Sequence, residues 1–543
     1  MTIHRIFAGE RRSPAPRPSE SKLSPHRRSS ISLFEKKVAL CKGLGPETLL
    51  GRTYPAHCRV MDVDDVVVFV THVRYAPVLF TAALRASSYR TLVFVEDSKP
   101  SVLLWLYRQF SVSCCSRTRA LLQSPHIIPV SSLEEPRRDA LRIGATLIEE
   151  SNFDDIELQL ALLNCIELDE FDHFDLKPRD HGVLGGTFDH IHGGHKVLIT
   201  IAAMSVRKTL AVGITGEVLL QKKKHKEFLE TFEQRRRSVL EFLGWIVKYT
   251  LKYDLDILTE ELVDIYGPSI HPQMQVLIVS EETAQGGEAV NKKRIELGHE
   301  PCQLVILRLL DSGISGKMSS TLSRDVLYNI ALARESWHEV CSNSELSDSK
   351  FNETWDYLYH QYTQAQRGYH SLDHIFALSK SLGTHFHDVS VDQRRVLQLA
   401  IWFHDAVYDS QNHDNEIEST KAFQSLMGSC SLVSAIILAT IRHEVPLEHS
   451  LSPEEIEVLK TFLDLDLLIL SACEQDYKEY MYGIRFEYFH IPPAEYVGAR
   501  IAVLNRLVSR PRLYFTKTCH RLHDLAKANV EKEIQLLTRS SPR

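Results

Sequence analysis

Two kinds of apolar pattern divide the chain. In the amino-terminal two thirds, short unbroken apolar runs alternate with stretches of helical spacing. "DVVVFVTH" and "TLVFVED" are continuous and β-branched, as strands buried on both faces of a parallel sheet require. "PVLFTAALRA" and "SVLLWLYRQF" carry apolar residues three and four apart and predict helices between and after them. This spacing predicts a βαβ-type α/β unit over 61–170. It has no phosphate-binding glycine loop, and nothing in its sequence assigns it a role.

The polar stretch "DEFDHFDLKPRD" (169–180) reads as a linker. After it come the strand patterns "HGVLGG", "TLAVGIT", "LDILTEEL", "QVLIVSEET" and "CQLVILRLL", with the helical patterns "GHKVLITIAAMSV" and "EQRRRSVLEFLGWIV" among them. That alternation predicts a doubly wound parallel sheet of Rossmann-like type over 178–335. A second polar stretch, "HEVCSNSELSDSKFNE" (338–353), reads as another linker. Beyond it the strand pattern stops. "VLQLAIWFHDAVYD", "LVSAIILATIRHE", "PEEIEVLKTFLDLDLLIL" and "YVGARIAVLNRLVS" all have helical spacing, so 350–535 is expected to be all-α. The multidomain expectation follows from length as well, because 543 residues exceed what one core holds.

Residues 1–60 differ from the rest. They are rich in Ser, Pro and Arg, have little to bury and read as a solvated tail. The basic start makes a mitochondrial transit peptide the alternative, against which Glu10, Glu20 and the prolines count. The net charge of −7 argues against a general nucleic-acid binder. The ten cysteines show no zinc-site spacing, which fits a reduced, intracellular and cytoplasmic protein. No apolar run reaches the ~20 residues of a membrane-spanning helix. Oligomeric state is not legible.

Candidate chemistry begins at "GVLGGTFDHIHGGHKVL", Gly182 to Leu198. A strand ending in Gly185–Gly186 turns sharply and admits close approach. "GHKVL" then opens a helix, which sets backbone N–H groups and a positive helix end at the carboxyl edge of the sheet, a site for polyphosphate. His192 and His195, three apart, point the same way and can donate hydrogen bonds to phosphoryl oxygens. "SGISGKMS" is not a phosphate-binding P-loop: Asp311 stands where the first glycine belongs, and Met318 follows Lys317.

The string "GTFDHIHGGH" resembles the HxGH nucleotidyltransferase superfamily, whose second, Ser/Thr-rich signature corresponds here to "GKMSSTLSR". Within it, "VLGGTFDHIHGGHKVL", "GITGEVLL", "YGPSIHPQMQVLIVSEETAQGGEAVNKKR" and "KMSST" are similar to the phosphopantetheine adenylyltransferases, in the form found in eukaryotic CoA synthases. The resemblance covers 181–333 and implies transfer of AMP from ATP, with Mg²⁺, to 4′-phosphopantetheine. It assigns His192, His195 and Thr187 to catalysis. It assigns Gly185, Gly186, Phe188, Asp189, Ser280, Glu281, Thr283, Lys317, Ser319, Ser320, Thr321 and Arg324 to nucleotide or substrate binding. Lys222 or Lys223 is the implied phosphate lysine, with a solvated basic run as the plain alternative. No kinase P-loop follows, so the expected product is dephospho-CoA. The rivals are a nucleotidyltransferase for another phosphate ester and a nucleotide-binding scaffold without catalysis.

The helical part holds "RGYHSLDH", "AIWFHDAVYD", "ATIRHE" and "FLDLDLLIL". An apolar helix ending in His–Asp would bury both at a cost of several kcal/mol unless they are partnered. In this order the strings resemble the HD phosphohydrolase superfamily. The resemblance implies His370, His404, Asp405 and Asp466 (rather than Asp464) as ligands of a divalent metal, and Mn, Fe, Co, Ni and Zn all suit them. His374, Glu416 and His443 are candidates for a second metal or acid/base work, and Arg367, Arg485 and Arg500 for a substrate phosphate.

Overall fold

The computed structural model describes residues 65–540, apart from gaps at 87–89, 97–99, 114–124, 144, 154–155, 164–176, 252, 308–318, 343–346 and 447–450. The expected tail at 1–60 and Lys317 lie outside the described residues.

Two parallel sheets form the α/β part. The first joins β1 (Asp65–Val70), β2 (Arg90–Val95), β3 (His126–Pro129) and β4 (Thr146–Ile148) in the order β3-β2-β1-β4. Every residue of β1 is buried, which is why its sequence shows no alternation. The second joins β5 (Arg179–Gly186), β6 (Val206–Thr215), β7 (Asp256–Leu262), β8 (Val276–Ser280) and β9 (Gln303–Leu307) in the order β7-β6-β5-β8-β9. All pairings are parallel. The chain winds outward from β5 in both directions, so the crevice lies at the carboxyl ends of β5 and β8.

The two sheets are not independent bodies. Helix Pro100–Ser113 of the first unit packs along helix Gly193–Met204 of the second. His126 of β3 stacks on Phe242 of helix Phe232–Ile246 at 5.5 Å. One apolar cluster runs from Val66 and Phe94 through Ile199 and Leu210 to Phe242.

The carboxyl part is a bundle of helices around Trp337, Trp355, Trp402 and Phe403. Two expected boundaries move. The strand after the first linker starts at Arg179, whose N–H bonds the Ser205 carbonyl. The second expected linker, 338–353, is helical at both ends. Helix Ser320–Ser342 runs on because Trp337, Val340 and Cys341 are buried, and Ser347 caps the next helix, Asp348–Tyr362. Polar composition hid this. One helix therefore starts at the second sheet and ends in the bundle core. Among the described residues no helix is long and apolar enough to cross a membrane.

Candidate functional site

β5 delivers its chain to the carboxyl edge of the sheet at Gly185–Gly186. The next residues curl under the strand end. Phe188 and His190 both take positive φ, 51° and 43°. Phe188 is fully buried, and its ring lies where a side chain on Gly186 would be: an added Cβ would meet ring carbons at 3.1–3.3 Å. A side chain there would fit only if the aromatic floor beneath it gave way by a few tenths of an ångström.

Three polar anchors hold this turn. Arg235, buried on helix Phe232–Ile246, donates to the carbonyls of Thr187 (2.7 Å) and Thr215 (2.8 Å). Asp189 accepts from the Glu230 N–H at 2.9 Å, and Glu230 accepts from the His190 N–H at 2.8 Å. Asp189 also pairs with Arg324, both side chains being almost wholly buried. Arg324 donates further to the Lys224 carbonyl (2.9 Å) and Thr321 Oγ1 (3.2 Å). The turn after β5 and the start of helix Ser320–Ser342 are thereby locked together.

His192 is the N-cap residue of helix Gly193–Met204, and the His192 and His195 rings stack at 4.0 Å. Burial, with help from Lys196 and Lys223, pushes the His195 pKa down to about 4, so the ring is neutral at pH 7. Its Nδ1 is buried without a hydrogen-bond partner among the described residues.

A cavity of about 300 Å³ opens above these residues. Gly185, Gly186, Thr187, His192, His195 and Lys223 line one part of it. Ser280, Thr283, Ser319, Ser320, Thr321 and Arg324 line the rest. Four expected contact residues fall elsewhere. Phe188 is the floor under the strand end, and Asp189 is enclosed and spent on Arg324. Lys222 and Glu281 are exposed beside the cavity, not among its walls; Lys223 and Glu282 take those places. Lys224 instead pairs with Asp325 at 3.0 Å and His225 stacks on Tyr328 at 4.1 Å, which fastens the basic run to the second motif's helix. Sequence reading missed Arg235, Glu230 and Glu282.

A five-stranded parallel sheet with a histidine-bearing cavity at its switch point has the architecture of a nucleotidyltransferase domain. Residues 183–326 match the cytidylyltransferase-like family model. A phosphopantetheine adenylyltransferase of Thermococcus gammatolerans is 32% identical over 151 residues, which is 27% of this chain and 89% of that protein. A phosphopantetheine adenylyltransferase of Saccharomyces cerevisiae is 41% identical over 153 residues, covering 27% of this chain and 48% of that protein. An uncharacterised protein of Schizosaccharomyces pombe is 38% identical over 157 residues, again 27% and 48%. The chain thus spans about half the length of the two yeast relatives. Through this domain it belongs to the phosphopantetheine adenylyltransferase family.

A second cluster lies in the helical bundle. The ligand atoms of His374, His404 and Asp466 all lie within 4.8 Å of one another. His404 Nε2 is 3.0 Å from Asp405 Oδ2 and 3.6 Å from Asp466 Oδ1. His374 Nε2 is 3.3 Å from His404 Nε2 and 3.4 Å from Asp466 Oδ1. His443 Nε2 is 2.8 Å from Asp466 Oδ2. Asp464 is turned away, accepting from the Phe515 and Thr516 N–H groups.

The donor set fits a divalent cation. His404 Nδ1 faces the Ile401 carbonyl at 3.0 Å and must carry its proton there. Nε2 of His404 then presents a lone pair to two carboxylates and a second imidazole. Lone pairs so gathered repel unless a cation or a proton lies among them. His370 stands at the rim, 3.9 Å from Asp405. Its Nδ1 lies 2.8 Å from Glu487 Oε2, and Glu487 Oε1 accepts from the N–H groups of Gly368, Tyr369 and His370. Burial opposes charging His370, but Glu487 and Asp405 outweigh it and raise its pKa. Glu487 was not foreseen from sequence.

The three arginines considered for a substrate phosphate are committed elsewhere. Arg367 is buried and donates to the carbonyls of His370, Asp405 and Ala406, tying the segment that bears His370 to the one that bears Asp405. Arg485 bonds the Tyr488 carbonyl and Gln159, and Arg500 pairs with Glu533. Glu416 joins neither the cluster nor the cavity of about 700 Å³ that His374 and Asp466 line. Helix Ser320–Ser342 reaches that cavity too, through Val326 and Asn329.

Proposed function

We propose that this chain transfers the adenylyl group of ATP to 4′-phosphopantetheine, giving dephospho-CoA and pyrophosphate. The observation that carries the reading is the Asp189–Arg324 pair, which closes both motifs around one cavity with His192 and His195 at its wall. A phosphate oxygen of the acceptor attacks the α-phosphorus; the bond from that phosphorus to the β-bridging oxygen breaks, and pyrophosphate leaves with the electron pair. No covalent enzyme intermediate is needed. His195 and His192 donate hydrogen bonds to phosphoryl oxygens as charge builds there, and Thr187 orients the acceptor phosphate. Lys223 and Ser319 to Thr321 hold the triphosphate. Mg²⁺ entering with ATP neutralises part of the triphosphate charge. The test is incubation of the full chain with ATP, Mg²⁺ and 4′-phosphopantetheine, with products resolved by mass. Dephospho-CoA supports the reading; unchanged substrates, or transfer only to a different phosphate ester, contradict it.

The cluster in the bundle supports a second activity, metal-dependent hydrolysis of a phosphate ester, consistent with the resemblance to HD phosphohydrolases. His374, His404, Asp405 and Asp466, with His370 beside them, would hold the ion. It would supply an activated water and polarise a phosphoryl oxygen. Metal analysis after dialysis against Mn²⁺ or Zn²⁺ tests the first half of this, with Asp466→Asn expected to lose the ion. Phosphate release from nucleotides and phosphopantetheine species tests the second.

A further inference from the structure

The first α/β unit touches the nucleotide cavity. Tyr107, on helix Pro100–Ser113, forms part of the cavity wall together with Gly194, Val197, Leu198 and Leu307. Tyr107, Val197, Leu198 and Leu307 are its apolar lining, in contrast to the histidines, Lys223 and Arg324. The placement is built. Tyr107 is 3% exposed, and its hydroxyl accepts from the Ile127 N–H at 3.0 Å and lies 3.4 Å from the Ile127 carbonyl, so β3 fixes the ring. On the facing helix, the Lys196 ammonium donates to the Pro125 carbonyl at 2.7 Å, one residue before β3. The Lys196–Pro125 bond ties the second unit's helix to the first unit beside this wall.

We infer that the first α/β unit is part of the nucleotide site, and that Tyr107 closes it as the wall against the purine base. This rests on the adenylyltransferase reading. The occupant follows from chemistry. A pantetheinyl arm carries two amides and needs donors and acceptors along its length. Among the described residues the side chains on this wall offer none, since the Tyr107 hydroxyl is engaged by the β3 backbone. A planar purine gains from an aromatic ring and aliphatic side chains. Tyr107 acts in substrate recognition and not in the transfer step.

The test uses the full chain with Tyr107→Leu and Tyr107→Phe, varying both substrates. Loss of one apolar contact in a binding pocket sets the scale, so Tyr107→Leu raises the KM for ATP about fivefold or more. The KM for 4′-phosphopantetheine changes by less than about twofold, and Tyr107→Phe keeps both, since it keeps the ring. A rise confined to the phosphopantetheine KM, or no change in either, overturns the inference. Equilibrium binding separates it from the activity reading. Tyr107→Leu weakens ATP but not tripolyphosphate, which has no base; equal effects on the two overturn it even if the wild type makes no dephospho-CoA. Photolabelling of the wild type with 8-azido-ATP requires no variant to fold. Label in the peptide carrying Tyr107 is expected, and label confined to residues after 178 contradicts the proposal.

Discussion

Asp189 and Arg324, 135 positions apart in sequence, form one buried ion pair. One follows the glycine turn of β5, the other stands on the first turns of helix Ser320–Ser342. Each also braces backbone: Asp189 the Glu230 N–H, Arg324 the Lys224 carbonyl. The nucleotide cavity exists because these two segments are held together.

Removing one partner leaves the other charge buried. Asp189→Asn or Arg324→Leu is expected to cost about 3–5 kcal/mol of stability. Chemical denaturation followed by tryptophan fluorescence measures this. The rate of dephospho-CoA formation in whatever protein remains folded should fall as well, because the second motif loses its register against the first.

His195 makes the domain acid-sensitive in a definite window. Above its ordinary pKa of about 6.5 the ring is neutral both folded and unfolded. Between there and about 4 the unfolded chain takes a proton that the folded site refuses. Stability therefore falls as pH drops from about 6.5 to about 4, by at most ~3 kcal/mol and less where the open ring edge stays hydrated. Denaturation midpoints of wild type and His195→Asn across this range test it: the variant should lack that share of the slope.

Glu487 is predicted to be a metal-affinity residue that touches no metal. Glu487→Gln keeps the shape but weakens its hold on His370 Nδ1 and on three backbone N–H groups. Such outer partners are typically worth 10–100-fold in affinity, and a loss of about that size is expected in competitive chelator titrations with Zn²⁺. The adenylyltransferase rate should not move.

Gly368 offers a steric test of the same region. A Cβ there would stand 2.3 Å from the Gly483 carbonyl oxygen, a backbone atom with no easy retreat. Gly368→Ala should push apart the segment bearing His370 and helix Glu474–Glu487. Reduced metal content with retained ATP binding is the expected result.

Much of the lining of the cavity at the ends of β5 and β8 could be read from sequence because its determinants are local. A glycine pair after an apolar run, two histidines three apart and a Ser/Thr cluster each report a turn or a helix start. What escaped depends on contacts across the fold. Arg235 sits in "EQRRR", where it resembles a solvated helix face, yet it is buried under the strand ends. Glu487 is 117 positions from the histidine it orients. Asp189 was expected to face substrate, but burial and Arg324 claim it. The segment at 338–353 is polar enough to read as a linker, although Val340 and Cys341 pack into the bundle. His374, a candidate for a second metal or acid/base work, stands within 3.4 Å of both His404 and Asp466, a closeness that no spacing in the sequence reports.

The most direct measurement is the rate of pyrophosphate release from ATP and Mg²⁺, with and without 4′-phosphopantetheine, in wild type and in His192→Ala/His195→Ala. Removal of a single such donor commonly lowers a rate by ~10²–10³. Release that requires the acceptor and falls by at least that much in the double variant is the predicted result. Release that ignores the acceptor, or survives loss of both histidines, would contradict the assignment of this cavity to adenylyl transfer.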